Sequence, residues 1–338
     1  MQTKHQQMPF VCFSGSKIFM EIVFTSSIED KLIMVDQKMI SRSYGYHPDL
    51  TAALEHLMVS GGKRIRPIIT LLMGSLLGAE DEKLITLGAS IELLHTATLV
   101  HDDLIDGALF RRGNPTINSH WTPSATVLTG DYIFAQAALL AAEIGSTEAM
   151  SLFAETLSII VNGEFSQLFG RNQLSSREDY YHRIYEKTGS LFSLSAKAAA
   201  LISPGERKYI NPAEEYGSEI GKAFQIVDDV LDFAGDQTRI GKPIGSDLRQ
   251  GVLTLPTLYY SEQNPGDQVL KDVLDGSAND SEIDQLIERI NQSGVIQLAM
   301  NEARECTRNA ISSLAEFPKG HDREALENLA NYIVDRDL

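Results

Sequence analysis

SIELLHTATLVHDDLID, residues Ser90 to Asp106, is the stretch from which the fold is read. Stepped at 100° per residue, it places His95, Asp102 and Asp106 on one narrow stripe, with Asp103 beside it. Leu93, Leu94, Leu99, Val100 and Leu104 cover other directions, so the stretch reads as a helix apolar enough to be buried. Carboxylates at i, i+1 and i+4 repel one another, and the cost grows inside a protein unless a cation sits between them. Asp102, Asp103 and Asp106 therefore read as oxygen ligands for a hard ion such as Mg²⁺. A lone DDxxD is more often an exposed acidic helix end, but the apolar neighbours argue against that here.

A second DDxxD lies further along, at Asp228, Asp229 and Asp232. Tyr216, Ile220, Phe224, Val227 and Leu231 form the apolar stripe of its helix, and Gln225 shares the acidic face. Two such boxes, each ending a largely apolar helix before a Gly-containing loop, are far more specific than one. Mg²⁺ usually combines one or two carboxylates with water and substrate phosphates, so the pair points to a phosphorylated ligand, a diphosphate above all. Cations for such a ligand stand near the boxes. GGKRIRP (Gly61 to Pro67) brings Gly62, Lys63 and Arg66; Arg111 and Arg112 follow the first box; Lys187 and Thr188 lie in a helix-like stretch that Gly189 would bend; Lys242 follows the second box. Taken singly, the loop cations read as solvated charges and His95 as a core histidine. No Walker motif, nucleophile elbow or dinucleotide fingerprint is present.

Around these motifs strand signals are scarce and helical periodicity runs nearly everywhere. Ser26 with Glu29, or Ser27 with Asp30, is the expected capping box of the first helix, over Lys31 to Ile40. Residues 1–25 show no clear periodicity and are expected to be a flexible extension, with Met34 or Met39 as alternative starts. Loops are expected at Tyr44–Pro48, Gly107–Pro123, Ser203–Pro212, Gly235–Pro256, Asn264–Asp267 and Pro318–Asp322, with about ten helical stretches between them. No break is long enough for a linker, so residues 26–338 read as a single all-α domain.

The 46 acidic against 29 basic residues of the 338-residue chain leave a net charge of −17, which opposes nucleic-acid binding through a broad basic face. Cys12 and Cys306 form neither a disulfide framework nor a zinc spacing, which suits a reducing cytoplasm. No transmembrane segment is expected, because the longest nearly apolar run, Pro67 to Ala79, is about 13 residues where a span needs ~20.

The set GGKRIRP, Glu92 to Gly113, Lys187-Thr188, Phe224 to Asp232 (FQIVDDVLD) and Gly241-Lys242 resembles, in order and spacing, the trans-type polyprenyl diphosphate synthases. The likeness covers roughly Ser26 to the C-terminus. It implies one large helical domain with a central cavity (an isoprenoid synthase-like fold), a homodimer, and Mg²⁺-dependent head-to-tail condensation of isopentenyl diphosphate with an allylic diphosphate. It also implies three Mg²⁺ ions per active site, held by Asp102, Asp106 and Asp228 with Asp103, Asp229 and Asp232. Arg111, Lys187 and Lys242 would hold the allylic diphosphate. Gly62, Lys63, Arg66, His95 and Arg112 would hold isopentenyl diphosphate. Thr188 and Gln225 would offer lone pairs to the developing cation. The departing diphosphate would take the proton.

Val252 stands where many relatives carry a lysine, which leaves Lys242 and Arg249 as the cations of that loop. Product length is read one turn before the first box, where a bulky residue would stop growth: Ala97 and Thr98 are small, Ser90 lies further along a similar face, and Leu93 and Leu94 are the candidate floor. With no insertion inside the box, the expected product is C30 or longer, against a short C15–C20 alternative. A class I terpene cyclase is the competing enzyme, but its second metal motif usually resembles NSE and it needs no GGKRIRP segment. A regulatory subunit usually lacks one or both boxes. A catalytic subunit that needs a small partner stays open.

Overall fold

The computed structural model describes residues 27–42, 47–59, 62–111, 113–170, 176–234 and 244–335. The expected extension at 1–25, Ser26, Arg112 and Lys242 lie outside the described residues. The helices, in chain order, are α1 (Glu29–Ser41), α2 (Pro48–Val59), α3 (Ile65–Leu76), α4 (Asp81–Ile105), α5 (Ile117–His120), α6 (Pro123–Glu143), α7 (Thr147–Gly170), α8 (Arg177–Ile184), α9 (Ser190–Ile202), α10 (Ile210–Ala234), α11 (Ser246–Arg249), α12 (Leu255–Gln263), α13 (Gln268–Leu274), α14 (Asp280–Gln292), α15 (Val295–Ser313) and α16 (His321–Asp335). The one sheet among the described residues is a two-stranded hairpin, β1 (Phe110–Arg111) with β2 (Asn114–Pro115), whose turn holds Gly113 at φ 77.

Local chemistry explains many of the boundaries. Thr122 accepts a hydrogen bond from the Ala125 N–H ahead of Pro123, so α6 opens with a side-chain cap and a proline in its first turn. Ser176 with Asp179, and Asn279 with Glu282, form full capping boxes on α8 and α14. The box expected at Ser27 and Asp30 does not cap α1; the helix begins at Glu29, with Ile28 at the cap position and no side-chain cap. Three expected loops hold short elements: the hairpin with α5, a 3₁₀ turn at Arg207–Tyr209, and α11. Elements of three or four residues are too short for periodicity to reveal. Helix α10 also starts earlier than expected and takes Pro212 into its first turn, where a missing N–H costs nothing.

Two helices frame the centre. Helix α4 packs against α1, α3 and α6, and is buried through most of its length, from Leu84 to Val100. Helix α10 packs against α9 and α15. A Cβ at Gly217 would lie 2.4 Å from the Phe192 carbonyl oxygen, and one at Gly221 would lie 2.6 Å from the Gly189 Cα. Only glycine lets α10 approach that closely, and the approach sets Gln225 one turn beyond Gly221 against the chain at Thr188. Both α4 and α6 are long and apolar enough to cross a membrane, which corrects the estimate made from the apolar run. That estimate asked for an unbroken run, whereas scattered charges leave the average high. In α4, 72% of the apolar window is buried inside the fold, so packing accounts for it.

Candidate active site

Lys187 and Thr188 join the two aspartate boxes. They sit in a π-helical turn, Tyr185–Gly189, between α8 and α9. Such turns widen the helix locally and recur at functional sites. The widened turn sends neighbouring side chains in different directions. Lys187 faces the first box and forms an ion pair with Glu164 of α7 at 2.9 Å. Thr188 faces the second box and donates to the Gln225 Oε1 at 2.8 Å. The turn fits against α7 because residue 163 is glycine; a Cβ there would lie 2.7 Å from the Glu186 Cβ.

Each box pairs a half-buried aspartate with a buried, hydrogen-bonded one. In the first, Asp102 is half-buried, whereas Asp103 is buried and accepts from the Arg111 Nε at 2.8 Å. Arg111 reaches it from β1, so the hairpin places this cation. In the second, Asp228 is half-buried, whereas Asp229 is buried and accepts from the Tyr180 hydroxyl at 2.7 Å and the Gln225 amide at 2.8 Å. Asp106 is exposed at the end of α4. Asp232 accepts the backbone N–H groups of Ser246 and Asp247 at 3.1 and 3.2 Å, which ties the second box to the following loop.

The electrostatics are those of a site built for added positive charge. Burial pushes the Asp102 carboxyl up to about 7; Glu164 and Asp106 add to the rise, and Lys187 and Arg111 only partly oppose it. Burial, helped by Asp247 and Asp228, pushes Asp229 to about 8 despite its two donors. Burial alone would lower the Lys187 ammonium, but Asp102, Glu164 and Asp106 hold it above its usual value. Hard carboxylate oxygens at the ends of two helices fit Mg²⁺. Among the described residues no three carboxylate, histidine or cysteine side chains converge as a metal cage, so an ion here would complete its shell with water or substrate oxygens.

An apolar cavity of about 380 Å³ opens beside Asp102, between α4, α6 and α7. Leu94, Ala97, Thr98 and Ile105 line it from α4, Phe134 from α6, and Leu157, Ile160 and Glu164 from α7. His101 lies 3.6 Å from Asp131, and Ser90 donates to the Ala137 carbonyl at 2.8 Å, so α6 runs antiparallel to α4. Glu164 stands at the Asp102 end, leaving Leu94, Phe134 and Leu157 deepest. Of the residues read for chain length, Leu94, Ala97 and Thr98 face the cavity. Ser90 and Leu93 do not; both are packed in the core, Ser90 against α6.

Ahead of α3, Lys63 lies over the Tyr332 ring at 5.9 Å, and in its first turn Arg66 lies over the Phe192 ring at 4.6 Å. Gly62 and His95 are half-buried nearby in sequence and on α4. Arg249 is turned away: it donates to the Ile244 carbonyl and pairs with Asp284 of α14, so it anchors the loop and is not a spare cation. Sequence reasoning missed Glu164, Tyr180 and Gln167, whose Oε1 accepts from the Lys187 ammonium at 3.4 Å. Glu164 and Gln167, one turn apart near the end of the largely apolar α7, were the available signal; Tyr180 offered none.

The fold and the paired acidic boxes define a helical prenyltransferase. Residues 47–290 match the polyprenyl synthetase family, and the chain belongs to it. It is 34% identical, over 83% of its length and 87% of the relative, to an octaprenyl diphosphate synthase of Haemophilus influenzae. It is 31% identical, over 92% of its length and 89% of the relative, to heptaprenyl diphosphate synthase component 2 of Bacillus subtilis. A solved polyprenyl synthase of Caulobacter crescentus, complexed with calcium and isoprenyl diphosphate, superposes with a TM-score of 0.88 at 32% identity, covering 93% of this chain and 97% of that one.

Proposed function

We propose that the chain elongates an allylic diphosphate head-to-tail with isopentenyl diphosphate, giving a trans-polyprenyl diphosphate of C30 or longer. The carrying observation is the junction of the two boxes at Lys187 and Thr188, placed at the mouth of a cavity lined by Ala97 and Thr98. The octaprenyl and heptaprenyl relatives favour the long product over C15–C20. Asp102, Asp106 and Asp228 would hold Mg²⁺, three ions per site; Asp103, Asp229 and Asp232 shape the boxes through Arg111, Tyr180, Gln225 and the loop at Ser246. When bound, Mg²⁺ supplies Lewis-acid stabilisation of the charge on the departing diphosphate.

This chain's residues do the rest. Lys187 and Arg111, joined by Lys242, bind the allylic diphosphate and stabilise the negative charge it gains as the C–O bond breaks. Thr188 donates its proton to Gln225, which leaves its oxygen lone pairs for the allylic cation. Gly62, Lys63, Arg66, His95 and Arg112 hold isopentenyl diphosphate so that its double bond meets that cation. A proton then leaves the new C–C unit for the released diphosphate, and the tail moves along α4. Incubation with Mg²⁺, isopentenyl diphosphate and allylic primers, followed by chromatography of dephosphorylated products, tests this. Linear prenols of C30 or longer are expected; a cyclised hydrocarbon without consumption of isopentenyl diphosphate would sink the reading.

The working form is proposed to be a homodimer in the cytoplasm. Leu128 and Leu139 of α6 are 66% and 51% exposed, and Phe165 and Phe169 of α7 are 58% and 72% exposed. An apolar face of this kind marks an interaction surface. A second copy is the favoured occupant, and the "component 2" relative keeps a small partner subunit as the other. Sedimentation of the pure chain is expected to give a dimer, and Leu128→Glu with Phe169→Glu a folded monomer; an unchanged dimer would place the interface elsewhere.

A further inference from the structure

We propose that Arg64, clamped between Asp36 and Glu92, is a positioning residue that sets the isopentenyl diphosphate site. The proposal rests on the reading above that Lys63, Arg66 and His95 hold that diphosphate. Arg64 sits at the start of α3 with φ 50 and ψ 31, and among the described residues it is the one non-glycine at positive φ. An L-residue pays for this left-handed conformation, and it persists only where the surroundings over-determine it. Here the guanidinium does so. Its Nε donates to Asp36 of α1 at 2.9 Å and its Nη1 to Glu92 of α4 at 3.0 Å, with the Arg64 side chain only 13% exposed.

The geometry gives this clamp a task. The left-handed residue turns the chain between Lys63 and Arg66, so it sets how those two cations face each other. Glu92 lies one helical turn before His95, so the same guanidinium fixes the Lys63–Arg66 segment to the helix that carries the third group. Asp36 lies outside the residues that match the family, so α1 contributes to the site from beyond them. Glu92 is 5% exposed, and its second carboxylate oxygen has no hydrogen-bond partner among the described residues. Without Arg64, a buried carboxylate would lose its counterion and move, and the segment with it.

Steady-state kinetics on the full chain with Mg²⁺, farnesyl diphosphate and isopentenyl diphosphate test the idea, each substrate varied in turn. Asp36→Asn weakens the outer half of the clamp, and Arg64→Gly removes it while leaving the left-handed backbone free of strain. Both are expected to raise KM for isopentenyl diphosphate, by about threefold and about tenfold or more, with KM for farnesyl diphosphate within about twofold. Unchanged KM values in folded Arg64→Gly, equal rises in both KM values, or a lower melting temperature without a KM change would overturn the proposal. Arg66→Ala separates the two levels. If it raises KM for isopentenyl diphosphate and the clamp variants do not, the clamp alone is wrong. If it does not, the placement of the site fails, and the clamp's role with it.

Discussion

Asp102→Ala is expected to lower turnover by about a thousandfold or more, and Asp228→Ala to do the same, with helical circular dichroism unchanged. Both carboxylates sit half-buried near the C-terminal ends of their helices. The packing of each helix rests chiefly on buried apolar side chains, such as Leu93, Leu94 and Val100 in α4 and Ile226, Val227 and Val230 in α10. For Asp102 the stability effect has a definite sign. Burial raises its folded-state pKa from 3.8 to about 7. A raised carboxyl pKa makes the ionised group a cost to the fold, absent below the unfolded value and growing as pH rises toward 7. In Mg²⁺-free buffer at neutral pH, Asp102→Ala should therefore melt no lower than wild type. Asp103→Ala should melt lower, because it strands Arg111. Activity, circular dichroism and melting on the same preparations check this; near-normal turnover in both Asp102→Ala and Asp228→Ala would sink the site assignment.

The contrast between neighbouring aspartates shows where sequence stops being informative. DDxxD spacing and the apolar faces around it were enough to recognise two helices ending in acidic boxes. The 3.6-residue period also placed Ala97 and Leu94 on the face that proves to line the cavity. What spacing cannot reveal is which partner a carboxylate of the box meets, since Asp103 meets Arg111 across a hairpin and Asp229 meets Tyr180 from another helix. Ser90 was misread for a similar reason. It lies on much the same face as Ala97, but α6 approaches closely enough for its hydroxyl to reach the Ala137 carbonyl, and the cavity ends before it. Arg249 reads as a loop cation until α14 supplies Asp284. The clamp at Arg64 combines residues 28 apart on each side, from three helices, and only the backbone geometry discloses it. Local periodicity carries the elements; long-range ion pairs decide what the charged residues do.

Ala97→Phe is expected to shorten the product by several isoprene units, moving the main prenol from C30 or longer toward C15–C20. Ala97 is buried and lines the cavity just over one turn from Asp102, and one isoprene unit spans about one helical turn, ~5.4 Å. A growing tail therefore passes this position after its first additions. The wall opposite is already formed by large side chains, Phe134 of α6 and Ile160 of α7, so a phenyl ring at residue 97 has little room except in the lumen. Overpacking usually costs ~1–3 kcal/mol where a side chain is forced into a filled core, but here the ring enters open volume, so the melting temperature should change little. Lys187, Arg111, Lys63 and Arg66, proposed to hold the diphosphates, are not among the residues that line the cavity, so the first condensation should proceed at a near-normal rate and only the later ones should fail. Leu94→Ala, deeper by one turn, should act in the opposite sense and lengthen the product. Chromatography of dephosphorylated products, with single-addition rates measured alongside, checks both. An unchanged length in Ala97→Phe would show that the tail does not use this cavity, and a wild type that already stops at C15 or C20 would overturn the length argument.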